Sequence, residues 1–196
     1  MITLWMGIAA FVLFMLYDIN SITAQWKILH AGFFLGFLLL IAATGLDLFA
    51  AFRGGAISGL WDLLLLLAAV LFLAALIYCL FFALPFKETY EEQGLGRRVY
   101  SGGVYALCRH PGILCFFGLY LFLGLAALPS GLLRNGMVFS LLNLAYAWFQ
   151  DRVSFPKTFC DYREYQASVP FLIPTGASIR KALQHQSASE NEGEMS

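Results

Sequence analysis

Two short stretches of this chain hold the residue types that could do chemistry. The first runs through Ser101, Gly102, Gly103, Val104, Tyr105, Ala106, Leu107 and Cys108 to Arg109, His110 and Pro111. An arginine and a histidine at the mouth of an apolar run are costly to bury alone, so they are expected to pair with an anion. Pro111 favours the start of a helix, where unpaired N–H groups attract the same kind of charge, and a ligand carboxylate or phosphate would fit there. The competing reading is a positive anchor among lipid headgroups. The second stretch runs from Gln150 to Pro174 and holds Gln150, Asp151, Tyr162 and Tyr165. An amide, a carboxylate and tyrosines can hold an ammonium or a sulfonium, the latter against aromatic faces. The same residues suit an interfacial segment, with tyrosines in an aromatic belt and a proline-bounded exit.

The elements that position these stretches follow from composition. Of 196 residues, 60% are hydrophobic and 12% charged, against roughly 45–50% and about 25% in soluble domains. Twelve basic residues balance twelve acidic ones, so nothing in the total points to nucleic acid. Five apolar runs stand out, at Ile2–Tyr17, Leu29–Phe52, Leu60–Leu84, Ile113–Leu128 and Leu132–Phe149. They lack the alternation of barrel strands, and in lipid only helices then satisfy the backbone. The first lacks a basic flank and a cleavage motif, so it reads as a retained span rather than a signal peptide. Pro129, Ser130 and Gly131 form a tight turn between the last two runs, which predicts a helical hairpin. The expectation is an all-α polytopic membrane protein with about five transmembrane helices, a short C-terminal hairpin and an interfacial C-terminal segment. It forms one domain over residues 1–175, followed by a disordered cytoplasmic tail over 176–196.

With five spans, ten of the twelve basic residues share one side: Lys27, Lys87, Arg97, Arg98, Arg109, Arg152, Lys157, Arg163, Arg180 and Lys181. Only Arg53 and Arg134 face the other. The positive-inside rule then places the N-terminus outside and the C-terminus in the cytoplasm, in a bacterial plasma membrane or the endoplasmic reticulum. A hairpin that leaves one face near Pro111 returns to it near Gln150. The two polar stretches become neighbours.

Taken together, G-V-Y-x-x-x-R-H-P opening a hairpin, a polar pair at its end, and then Y-x-x-Y-x-x-x-V-P-x-x-I-P resemble the membrane methyltransferases typified by isoprenylcysteine carboxyl methyltransferase and the related phospholipid methyltransferases. The resemblance covers Arg98 to Pro174. It implies S-adenosylmethionine as cofactor and a lipophilic methyl acceptor, a carboxylate or an amine, that enters from the bilayer. By position, it implies that Arg109 and His110 hold the cofactor's carboxylate end while Pro111 shapes the turn. Gln150 and Asp151 stand where the family usually has two glutamates, and Tyr105, Tyr162 and Tyr165 match tyrosines that line or brace the pocket. Arg109 and Asp151 are the candidate catalytic residues. Ile113, Cys115, Gln150 and the Thr158-Phe159 pair depart from the family's pattern, which leaves the acceptor open.

Methyl transfer suits so small a protein. Displacement at a sulfonium methyl needs an in-line nucleophile and a dry site, and a carboxylate acceptor needs no base. Ser101 and Ser154 have no evident His-Asp partners. Two other readings stay open: an NADPH-dependent enzyme like the sterol reductases, which end in a similar hairpin and exit, and a non-catalytic membrane protein of the same fold. Cys79, Cys108, Cys115 and Cys160 show no metal-ligand or disulfide spacing and read as small apolar residues, so no metal is expected. Gly32 and Gly36 form a G-x-x-x-G that predicts close helix packing. His30, Asp47 and Asp62 lie near span ends, where snorkelling or mutual hydrogen bonding is expected. Gly94 and Gly96 lack the preceding strand of a dinucleotide fingerprint.

Overall fold

The computed structural model describes residues 1–83 and 97–183. Among the described residues there is no strand, only an isolated parallel bridge between Arg97 and Phe159. Helix α1 covers Ile2–Ile22, α2 Lys27–Arg53 and α3 Leu60–Ile77, the last prolonged by a π-helical turn over Tyr78–Phe82. A single helical turn, α4 (Val104–Leu107), precedes the hairpin of α5 (Pro111–Ala126) and α6 (Leu132–Phe149). A second π-helical turn, Gln150–Ser154, leads into α7 (Phe155–Thr158) and α8 (Tyr162–Ser168).

Over the described residues every apolar run becomes helical, but not every helix is of spanning length. Helices α1, α2 and α3 with its π-turn are long and apolar enough to cross a membrane. The expected count of five is not reached by length and composition, because α5 has only 16 residues and α6 carries Arg134, Asn135, Ser140 and Asn143. The long helices present bare apolar faces outward, with Phe34, Leu63 and Leu71 exposed. That is the pattern of helices solvated by lipid rather than by protein.

Lipid tails are as apolar as leucine, so helices in lipid associate through close packing and polar contacts. Both are visible. A Cβ on Gly36 would sit 2.9 Å from the Ala10 carbonyl oxygen, so the G-x-x-x-G of α2 is the seam where α1 rests. Phe11 and Phe14 of α1 fill a core with Phe116 and Tyr120 of α5 and Phe139 and Tyr146 of α6. A smaller core of Ala51, Ala69, Leu123, Ala127 and Leu132 ties α2 and α3 to the hairpin's turn. Near that turn Asn135 donates to Asp47 (2.7 Å) and to Thr3 (3.1 Å), so Asp47 is bonded within the bundle. Asp62 accepts from the Ser58 and Gly59 N–H groups at the start of α3, and His30 bonds the Trp26 carbonyl.

Residues 176–183 are helical. Thr175 and Ser178 exchange side-chain bonds with each other's N–H groups, a reciprocal cap that starts this helix. The expected tail is therefore helical over 176–183, and residues 184–196 lie outside the described residues, as do Lys87, Gly94 and Gly96.

Candidate functional site

The site starts with the backbone. His110 stands just before α5 and Pro111 occupies its first turn, as the sequence suggests. The Arg109 N–H donates to the Pro170 carbonyl (2.9 Å) and the His110 N–H to the Phe171 carbonyl (3.2 Å). These carbonyls are free to accept because a residue before proline is pushed out of helical geometry; Val169, with φ −124° and ψ 131°, ends α8 in extended form. The V-P-F exit thus clamps the entrance to the hairpin.

At the hairpin's other end the π-turn carries Asp151 inward, to 1% exposure. Arg109 meets it fork to fork, Nε to Oδ1 at 2.7 Å and Nη2 to Oδ2 at 3.1 Å. Its Nη1 donates to the carbonyls of Gln166 (3.1 Å) and Val169. Four of the five guanidinium donors are therefore committed within the chain, and the Phe171 ring lies 5.7 Å from Cζ. Asp151 also accepts from the Tyr162 hydroxyl (2.7 Å) and from Gln166 Nε2 (3.1 Å). His110 Nε2 stands 3.4 Å from Oδ1, while its ring stacks on Phe155. The anion that the Arg-His pair demanded is supplied by the chain itself.

Burial opposes ionisation of Asp151, yet hydrogen bonds from His110, Arg109 and Tyr162, with the charge of Arg109, hold its carboxyl well below the usual carboxylate range. For Tyr162, burial and then the Asp151 carboxylate push the phenol up, which keeps it a donor. Burial, followed by the thiols of Cys79 and Cys108, pushes Tyr105 up to about 12. A depressed carboxylate stabilises the fold above its unfolded pKa, near the ordinary 3.8, and that contribution is lost as pH falls through the folded value. The stability difference between wild type and Asp151→Asn should therefore be flat from pH 7 to about pH 5 and shrink in stronger acid. Detergent-solubilised melts across that range measure it, and a difference that grows on acidification contradicts the assignment.

Tyr105 and Tyr165 brace the site from outside. The Tyr165 hydroxyl donates to the Tyr105 carbonyl (2.7 Å), and the Tyr105 hydroxyl to the Cys79 carbonyl (2.8 Å) in the first π-turn. Gln150 leaves the group, because its Nε2 donates to Asp18 of α1 at 2.9 Å. Sequence reasoning missed Gln166, which holds both the backbone oxygen and the carboxylate of Asp151. The available signal was its place four residues after Tyr162, one turn along the same face of α8.

Two adjoining cavities open beside this closed cluster, one of about 320 Å³ against Tyr165 and Val169, the other of about 730 Å³ reaching Tyr78 and Leu107. Both are of ligand-pocket size. Val99, Ser101 and Ala106 line both. Among the described residues no three His, Cys, Asp or Glu side chains gather as metal ligands. Compared with protein-family models, curated proteins and solved structures, the chain matches none.

Proposed function

We propose that this protein is a five-span membrane methyltransferase that uses S-adenosylmethionine to methylate a lipid-embedded or prenylated acceptor at the cytoplasmic face. The observation that carries the reading is the meeting of the R-H-P helix start with Asp151, Tyr162 and Tyr165 beside a cavity of ligand size. Helices α5 and α6 supply the fourth and fifth spans as a short hairpin, and the ten basic residues of one side face the cytoplasm.

The adjoining cavities fit the cofactor in character, with polar groups at one end and tyrosine rings and apolar side chains at the other. When bound, it would supply an electrophilic methyl whose carbon–sulfur bond breaks as the acceptor's lone pair attacks. The chain's part is positional. Arg109 and Asp151 lock α5, α6 and the C-terminal exit together, which fixes the cavity wall formed by Tyr165 and Val169. Tyr105 holds the opposite side to the end of α3. Such preorganisation is what an in-line displacement needs from its enzyme.

One observation favours a second reading. Arg109 and Asp151 satisfy each other so fully that the pair suffices as a structural lock in a non-catalytic protein. Titration calorimetry in detergent separates the two. Under the methyltransferase reading the cofactor binds in the micromolar to millimolar range, about 1 μM to 1 mM, and NADPH neither binds nor competes. Absence of cofactor binding by a folded protein would overturn it in favour of the lock alone, and competition by NADPH would point to the reductase.

A further inference from the structure

The cluster that sequence reasoning would offer to the cofactor's carboxylate has little left to give. Arg109 has committed four donors, and the space in front of it already holds the negative charge of Asp151. A second carboxylate there would meet repulsion. The unspent charges lie on the other side of α8.

Helix α8 is two-faced. Tyr162 and Gln166, four apart, point at Asp151. Glu164 and Ser168, also four apart, line the cavity of about 320 Å³ instead, beside Asp161 just before the helix. Asp161 is used locally, accepting the Val99 N–H at 2.8 Å. Lys181 lines the same cavity, brought there by the capped helix over residues 176–183. Glu164 and Lys181 carry opposite charges on walls of one cavity, yet neither makes an ion pair among the described residues. A ligand that bears both charges would span them.

We propose that this cleft holds a zwitterion, the α-amino-acid end of the methyl donor, with its ammonium on Glu164 and its carboxylate on Lys181. The proposal rests on the methyltransferase reading. The remainder of the donor extends past Val99, Ser101 and Ala106, shared by both cavities, into the larger one, where Tyr78 and Tyr100 offer rings for a purine to contact. Arg109 and Asp151 then act as positioning residues, because α8 presents Glu164 correctly only while its opposite face is anchored.

The test uses the full chain in detergent and two soluble probes, S-adenosylhomocysteine, which carries the amino acid, and 5′-methylthioadenosine, which lacks it. Both Glu164 and Lys181 are exposed, so Glu164→Gln and Lys181→Met should keep the wild-type melting temperature. Each substitution is expected to weaken S-adenosylhomocysteine at least about tenfold, the scale of one charge-assisted hydrogen bond, and to leave 5′-methylthioadenosine within twofold. S-adenosylhomocysteine affinity within twofold of wild type in both variants overturns the assignment and spares the methyltransferase reading. Wild type that binds neither probe overturns both. Phosphatidylethanolamine mixed into the detergent is the third arm: weakened affinity for that lipid alone in the two variants assigns the cleft to a zwitterionic headgroup and overturns the donor assignment.

Discussion

Replacing Asp151 with alanine is expected to cost the fold about 3–5 kcal/mol, the usual penalty for stranding one partner of a buried ion pair. The carboxylate takes two bonds from Arg109 and one each from Tyr162 and Gln166, at 1% exposure. Its loss leaves a guanidinium that is itself only 10% exposed without a counter-charge. Asp151→Asn keeps the shape and one acceptor oxygen, so it should lose less. The double variant Arg109→Met/Asp151→Leu should recover more than half of the alanine variant's loss, since it leaves no buried charge behind. Recovery stays incomplete because the Gln166 and Val169 carbonyls lose their donor. Denaturation by a harsh detergent, followed by circular dichroism, reads all four proteins. An alanine variant within about 1 kcal/mol of wild type would show that water replaces the carboxylate, and would refute a sealed site.

The second large effect sits at the far end of the hairpin. A Cβ on Gly124 would lie 2.5 Å from the Leu133 Cα, a backbone atom that cannot rotate aside. Gly124→Ala must push α5 and α6 apart, and overpacking of this kind costs about 1–3 kcal/mol. Gly45 in α2 is the control, with nothing within 4 Å of its added Cβ. Gly45→Ala should be neutral or gain up to about 1 kcal/mol of helix propensity. Equal melting behaviour of the two variants would mean that the hairpin's close approach is not under tension.

Much of this arrangement was legible in the residues, and the exceptions have physical causes. Unbroken apolar runs could only be helices, and Pro111 and the Pro129-Ser130-Gly131 turn marked where the hairpin begins and folds back. Gly32 and Gly36 announced a seam, and Gly36 sits against Ala10. The meeting of Arg109 with Asp151 followed from the hairpin alone. What the residues could not say was that these two would satisfy each other instead of waiting for a ligand, because pairing depends on burial depth and fork geometry. Adjacency groups Gln150 with Asp151, yet neighbours on a helical path point about 100° apart, and the partner of Gln150, Asp18, lies 132 residues away on α1. Composition alone reads the helix over 176–183 as tail. Its start depends on the local exchange between Thr175 and Ser178, too small a signal against a polar background.

The unequal lengths of the helices carry a consequence for the surrounding lipid. At 1.5 Å per residue, the 27-residue α2 is about 40 Å long and the 16-residue α5 about 24 Å, on either side of a hydrocarbon layer about 30 Å thick. On the five-span reading, a bilayer that meets α2 by letting it tilt would thin where it meets α5, at a cost of fractions of a kcal/mol per ångström of mismatch. Thinning there would bring the headgroups toward the end of the hairpin that carries Arg109. On that reading bilayer thickness becomes a load on the hairpin, and with it on the Arg109–Asp151 pair at its end.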